Sequence, residues 1–281
     1  MGKIQLTFGH LKGLKSTVTI EATNKSTETI SEDKDRKVVL VDVSTCIACR
    51  ACQVACKRWN ELPAEQTRNM GTYQNPPDLS ILTYTYVNFQ ESENGKPEWY
   101  FRKIQCMHCN EPGCMDACPV EAIYKTSTGA VVVDLNKCEG HGDCREGCPY
   151  DIPRIDKEAK KMYKCTFCLD RLVEGMPPAC MAMCTTGALQ FGSRPEMYEK
   201  AQLLKGDLKK RGLSKADVYG PGEMGGTHWI YVLPKEPELF KYTVASLEKN
   251  HMMRSLARKW SGFGMGAALL AGLTKASRIE D

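Results

Sequence analysis

Hydrophobic runs along this chain are short and separated by polar turns. Residues 1–36 are polar and rich in Ser, Thr, Glu and Lys, with one β-prone stretch at 17–20. They read as an N-terminal arm, ordered in part or only against a partner. Residues 37–43 (KVVLVDV) predict a short strand that ends just before Cys46. An insertion follows at 60–103, with turn signals at Asn75-Pro76-Pro77-Asp78 and Asn94-Gly95-Lys96-Pro97. Between those turns, residues 81–89 alternate Thr or Tyr with apolar residues, and 98–104 read as the hairpin partner. Met197, Ala201, Leu204 and Leu208 recur at helical spacing and predict an amphipathic helix over 194–213, weakened by Gly206. Residues 220–226 form a glycine-rich loop, and 229–233 (WIYVL) a strand. The one long uncharged segment, 260–274, is flanked by Arg254, Arg258 and Lys259 on one side and by Lys275 and Arg278 on the other.

Composition changes this picture at one residue type. The chain of 281 residues has ordinary hydrophobic and aromatic content, which excludes a disordered protein, but it carries 15 cysteines. Secreted disulfide scaffolds reach such densities in shorter chains with an even cysteine count. Here residues 1–16 are broken by Lys3, His10, Lys12 and Lys15 and offer no apolar run for a signal peptide. Clustered cysteines in that setting point to metal. The formal charge of +4 is then misleading, since every ligating cysteine is a thiolate. Four 4Fe-4S cores held by these thiolates would bring the sum to about −3. The Lys and Arg residues near the cysteines therefore read as compensation for buried negative charge. No basic stripe with stacking aromatics stands apart from them, so a nucleic-acid partner is not expected.

The cysteines fall into four groups. The first is Cys46-x2-Cys49-x2-Cys52-x3-Cys56, and the second Cys106-x2-Cys109-x4-Cys114-x3-Cys118-Pro119. The third is Cys138-x5-Cys144-x3-Cys148-Pro149, and the fourth Cys165-x2-Cys168-x11-Cys180-x3-Cys184. Three cysteines at intervals of three wrap one cubane, and a fourth after a longer gap reaches the neighbouring cluster. Alone, the fourth group would also suit a four-thiolate zinc site. The tightly wound first group, and the linkage of four groups in one chain, argue against zinc. A radical-generating enzyme would need C-x3-C followed by x2-C, and neither Lys57-Arg58-Trp59 nor Pro119-Val120-Glu121 supplies it. In the third group the ligand frame places His141, framed by Gly140 and Gly142, where a cysteine is expected. Either the imidazole ligates iron, as the spacing favours, or His141 is a loop residue beside a 3Fe-4S cluster or a cubane with a non-protein ligand.

These motifs together resemble the beta (iron–sulfur) subunit of respiratory formate dehydrogenases of the N/O type. The resemblance runs from about Lys37 to Phe240 and rests on Asp42-Val43-Ser44-Thr45-Cys46-Ile47, Ala51-Cys52-Gln53-Val54-Ala55-Cys56 and Trp59-Asn60. It rests also on Asn75-Pro76-Pro77-Asp78-Leu79-Ser80, Cys106-Met107-His108-Cys109 and Cys148-Pro149-Tyr150-Asp151-Ile152-Pro153-Arg154. Tyr163-Lys164-Cys165-Thr166-Phe167-Cys168 and Gly225-Gly226-Thr227-His228 before Tyr231-Val232-Leu233 complete it.

The resemblance implies an α+β fold of two intertwined ferredoxin-like domains, each for two 4Fe-4S clusters, with a β-hairpin insertion and a C-terminal helix. The first domain would combine 37–103 (with insertion 60–103) and 155–195, and the second would be 104–154. Residues 196–250 would dock a partner, and 251–281 would form a membrane-associated helix. By motif position, Cys46, Cys49, Cys52 and Cys184 would hold one cluster, and Cys56, Cys165, Cys168 and Cys180 another. Cys106, Cys109, Cys114 and Cys148 would hold the third. Cys118, Cys138 and Cys144 would hold the fourth, as a 4Fe-4S cluster completed by His141 or as a 3Fe-4S cluster. The family has sixteen cysteines at these positions, and His141 is where this chain departs from it. No nucleophile–base pair or phosphate-cradling motif marks a substrate site of the chain's own.

The expected partners are a molybdopterin (molybdenum or tungsten) catalytic alpha subunit and a cytochrome b-type membrane subunit, with the periplasmic face favoured. Partner subunits of polysulfide, tetrathionate, dimethyl sulfoxide or nitrite reductases share the cysteine frame and are the nearest alternatives, ahead of a zinc-stabilised scaffold. Lys103, Lys164, Arg154 and Arg171 lie close to cysteines in sequence and read as charge balance and surface pairing. The uncharged run at 260–274 is shorter than the ~20 residues that span a bilayer. Its small residues Gly262, Gly266, Gly264 and Ala268 at four-residue spacing, with Trp260 and the basic flanks, suit an interfacial or membrane-packed helix.

Overall fold

A computed structural model describes residues 2–9, 15–25, 36–92 and 98–241. The segment 260–274 and the Asn94–Pro97 turn signal lie outside the described residues. Strands β1 (Gly2–Gly9) and β2 (Lys15–Thr23) pair antiparallel, so the N-terminal region carries two strands where its composition suggests one β-prone stretch. The physical reason is period two: Val18, Ile20 and Ala22 are buried while Thr17, Thr19 and Glu21 face solvent. The far end of β2 pairs Ala22 with Thr126, which joins the hairpin to the body.

The chain then enters β3 (Lys37–Asp42), whose Val38–Val41 stretch is fully buried, and leaves through the first cysteine loop into α1 (Ala51–Trp59). Strands β4 (Tyr86–Ser92) and β5 (Glu98–Ile104) form the insertion hairpin. It starts later than residue 81 because Ser80 and Thr83 bridge to each other and turn the chain first. The second cysteine loop follows, with α2 (Gly113–Asp116), and then β6 (Ile123–Thr126) and β7 (Val131–Val133). The third loop carries α3 (Asp143–Glu146) and leads to β8 (Arg154–Asp156) and β9 (Lys161–Tyr163). The fourth carries α4 (Leu169–Val173) and α5 (Ala179–Ala182), then β10 (Leu189–Ser193). Helix α6 (Arg194–Lys210), strands β11 (Asp217–Tyr219) and β12 (Trp229–Leu233) and a 3-10 turn (Pro237–Phe240) close the described chain.

Two four-stranded sheets result, ordered β1-β2-β6-β7 and β10-β3-β12-β11. In the second, β3 runs antiparallel to β10 and parallel to β12. Helix α6 lays Met197, Ala201 and Leu208 over Val38, Leu40 and Ile230, the stripe its periodicity predicts. Burying side chains of this size contributes about 1.5–3 kcal/mol each. Arg154 ties the insertion to the third cysteine loop. Arg154 is buried, and its guanidinium donates to the Leu79 carbonyl (2.9 Å) and the Asp78 carboxylate (2.6 Å), as well as to the carbonyls of Asp151, Ile152 and Pro153. The Asn75–Ser80 turn thus docks on the segment that follows Cys148, and two motifs distant in sequence become one joint.

Candidate metal centres

The cysteine loops share one backbone device. Two residues after the leading cysteine of each loop, the chain takes a positive φ: Ala48 (56°), His108 (49°), Gly140 (71°) and Phe167 (60°). This left-handed turn directs an amide at the leading sulfur. The His108 amide donates to Cys106 Sγ at 3.5 Å and the Phe167 amide to Cys165 Sγ at 3.4 Å. The Ala48 amide holds the Cys46 thiol down against the burial that raises it. In the third loop glycine is required for a second reason, since a Cβ on Gly140 would lie 2.6 Å from the Lys160 carbonyl carbon. His141 comes next, at the position held by Cys49, Cys109 and Cys168 in the other loops.

All fifteen cysteines are free. The structure gathers them across sequence rather than group by group. Cys46 feels Cys184 and Cys49, and Cys52 feels Cys180 first and then Cys46 and Cys184. Cys168 feels Cys180, Cys56 and Cys165, and these four line one cavity. Cys109 feels Cys106, Cys148 and Cys114. Cys144 feels Cys138 and Cys118, and these three line a cavity together with His141. Of the fourth sequence group, Cys165, Cys168 and Cys180 line the cavity shared with Cys56 and Cys184 does not, an arrangement unlike a four-thiolate zinc knuckle built from one group. Among the described residues no three His, Cys, Asp or Glu side chains converge on a single-ion site. A cluster does not ask for that, because each thiolate binds its own iron. Burial is the main reason these thiols resist ionisation, pushing Cys165 to about 12 and Cys148 to about 11. Cavities lined by three or four thiols, with amides aimed at sulfur, fit iron–sulfur clusters, whose irons keep such thiols deprotonated.

His141 stands at the mouth of its cavity, with its side chain 44% exposed and Nε2 3.5 Å from the Glu139 carboxylate. The buried cations depart from the surface pairing read from sequence. Lys103 and Lys164 are 3% and 5% exposed. Burial works against the Lys103 charge, but Cys180, Cys52, Cys165 and Cys56 outweigh it and leave its pKa raised. Lys164 is likewise opposed by burial and held charged by Cys106, Cys114 and Cys165. Lys103 Nζ donates to Gln105 (3.0 Å) and lies 4.3 Å over the Trp229 ring. Lys164 Nζ donates to the carbonyls of Val131 and Cys165.

Sequence reasoning gave His108 no role at the site, although a histidine between two cysteines of a cluster loop was the available signal. It is fully buried, its ring stacks on Phe167 (centroids 4.8 Å), and burial holds its pKa well below the usual value. The glycine-rich loop at 220–226 and the residues after it clamp the second cysteine loop. Asn110 and Glu111 donate their amides to the carbonyls of Gly226 and Met224, and the His228 amide donates to that of Met107. His228 itself is buried, hydrogen-bonded to the Lys37 carbonyl at 2.8 Å and pushed by burial to about 4, so it is neutral.

Two ferredoxin-like units with thiol-lined cavities define a protein of the dicluster ferredoxin class. Models of that class, described as 4Fe-4S dicluster domain, match residues 45–122 and 97–194. Over 247 residues the chain is 44% identical to the formate dehydrogenase, nitrate-inducible, iron-sulfur subunit of Escherichia coli, covering 86% of this chain and 83% of that one. It is 44% identical over 227 residues to the formate dehydrogenase-O iron-sulfur subunit of the same organism, covering 79% and 74%. It is 40% identical over 212 residues to formate dehydrogenase 2 subunit beta (cytochrome c-553) of Nitratidesulfovibrio vulgaris, covering 72% and 95%. The chain belongs to the family of formate dehydrogenase iron–sulfur subunits and is an electron-transfer subunit of an oxidoreductase complex, not its catalytic subunit.

Proposed function

We propose that this chain carries four iron–sulfur clusters in one line and conducts electrons between a molybdenum or tungsten bis-pterin catalytic subunit acting on formate and a cytochrome b or quinone-linked acceptor. The observation that carries the reading is the order in which the four sulfur sets are electrostatically coupled. Cys52 feels Cys180, Cys165 feels Cys106, and Cys114 feels Cys144, so each set is electrostatically coupled to the next. The sets would be Cys46, Cys49, Cys52 and Cys184; then Cys56, Cys165, Cys168 and Cys180; then Cys106, Cys109, Cys114 and Cys148; then Cys118, Cys138, Cys144 and His141. Both ends reach the surface, through exposed Cys49 and through His141, while the middle sets are mostly buried. The first domain would combine 37–103 with 155–195, supported by the pairing of β3 with β10, and the second would be 104–154. Copurification with a pterin subunit, followed by formate addition, tests the role. Formate should reduce the iron–sulfur signals, and a complex that formate leaves oxidised contradicts it.

His141 is the proposed protein ligand that completes the fourth cluster, supported by the left-handed Gly140 that repeats the hand of the other loops. Exchange of imidazole for thiolate adds a negative charge to the cluster, so His141→Cys should lower its reduction potential by on the order of 100 mV and change its EPR signal. An unchanged potential and signal would sink the assignment.

Membrane association would come from 251–281; among the described residues no helix is long and apolar enough to cross a membrane. Deletion of 255–281 should shift the subunit to the soluble fraction, and unchanged fractionation contradicts the anchor.

A further inference from the structure

The joint between the second and third sulfur sets is built from two local equivalents that differ in one chemical respect. His108 and Phe167 occupy the same left-handed position in their loops, two residues after Cys106 and Cys165, and their rings stack with an interplanar angle of 24°. Each backbone amide serves its own loop's cysteine. Phe167 offers nothing further, but the His108 ring reaches across the joint, with Nε2 3.5 Å from Cys165 Sγ in the neighbouring set. The other ring nitrogen settles which way that contact runs. The Val131 amide donates to Nδ1 at 2.9 Å, so Nδ1 must present a lone pair. In a neutral imidazole the proton is then on Nε2, which donates to sulfur. Val131 is itself fixed, since it lies in β7 and its carbonyl accepts from Lys164. The tautomer is therefore locked by the strand, not by solvent, which does not reach this fully buried ring.

We propose that His108 is a positioning residue for electron transfer, donating an Nε2–H hydrogen bond from the loop of the third set to the Cys165 thiolate of the second, and so raising the reduction potential of the second cluster alone. The inference rests on the reading of Cys56, Cys165, Cys168 and Cys180 as a cluster site. A hydrogen bond to a thiolate favours the more negatively charged, reduced state. The single donor makes the second cluster easier to reduce than its sequence twin would be with phenylalanine on both sides. Because the same residue lends its amide to Cys106 and its ring to Cys165, it is also a continuous bonded path between the two sets.

The test is an EPR-monitored redox titration of the purified holo complex carrying His108→Phe, which keeps the stacked ring and removes the donor, beside His108→Gln, which keeps an N–H of similar reach. The second cluster is identified as the one whose signal is lost in Cys168→Ala. His108→Phe should lower the reduction equilibrium constant of that cluster by roughly three- to tenfold. The other three should keep theirs, and His108→Gln should recover at least half of the loss on the potential scale. An unmoved potential, an equal shift of all four, or a Gln variant no different from Phe overturns the proposal. If His108→Phe fails to assemble, the unaltered protein decides. Deuterium exchange and 15N-imidazole labelling should give resolved electron–nuclear couplings at the second cluster, and their absence overturns it as well. If no cluster forms at Cys168, the site reading fails together with the inference, whereas a cluster present with an unmoved potential sinks the inference alone.

Discussion

Cys52→Ala and Cys184→Ala should abolish the same EPR signal, whereas Cys52→Ala and Cys56→Ala, one helical turn apart, should abolish different ones. Cys52 and Cys56 both lie in α1. Cys56 lines one cavity with Cys165, Cys168 and Cys180 and Cys52 does not, while Cys52 feels Cys46 and Cys184 as well as Cys180. A loop that supplies three ligands and sends its fourth to the neighbour makes each half of the domain depend on the other for a complete site. Loss of one thiolate from a four-thiolate set should remove that cluster or convert it to a three-iron form, so iron should fall by at most about a quarter. Stability should fall as well, because the cluster's binding free energy is part of the folding free energy. The measurement is EPR of dithionite-reduced complexes with iron quantified on the same samples. If Cys52→Ala and Cys56→Ala erase one common signal, the swapped arrangement is wrong.

Removal of either buried ammonium should lower the potential of one middle cluster far more than those at the ends. Lys103 faces Cys180, Cys52, Cys165 and Cys56, and Lys164 faces Cys106, Cys114 and Cys165. A unit charge roughly 6–8 Å away at an effective dielectric near 20 is worth about 2–3 kcal/mol, or about 100 mV for one electron. Lys103→Met should therefore pull down the second cluster by about that amount, and Lys164→Met the third. Both variants also strand polar partners: the Gln105 side chain loses its Lys103 donor, and the Val131 and Cys165 carbonyls lose Lys164. A modest fall in thermal stability should accompany the shift. Redox titration separates the two effects, since lost packing does not lower a single potential selectively. Equal potentials in variant and parent proteins would return both lysines to the role of bulk charge balance.

How much of this was legible in the sequence depends on the range of the interaction. The cysteine frame is local and chemically restrictive: intervals of three leave few geometries for four thiols, so the four loops and their thiols could be read directly from the spacing. Strand 229–233 was equally legible, because five consecutive apolar residues between polar turns have one economical fate, and all five are buried. The hairpin of β1 and β2 was half legible. Its alternation is visible in 17–22, but its attachment at Thr126 is not. The lysines were rightly read as charge balance, but their burial was not foreseen. Charged side chains are almost always at the surface, and only the convergence of thiols from three loops offsets the burial of these two. His108 escaped for a similar reason. Its partner at Cys165 is 57 residues away, and its tautomer is set by an amide of β7, so neither its contact nor its proton could be read from Cys106-Met107-His108-Cys109 alone.

The central claim, four clusters in one chain, is tested most directly by iron and acid-labile sulfide determined per chain on anaerobically purified protein, with zinc measured in the same digest. The account predicts about 15 or 16 iron with matching sulfide and no stoichiometric zinc. Iron near 8, or zinc at one or more equivalents per chain, would contradict it.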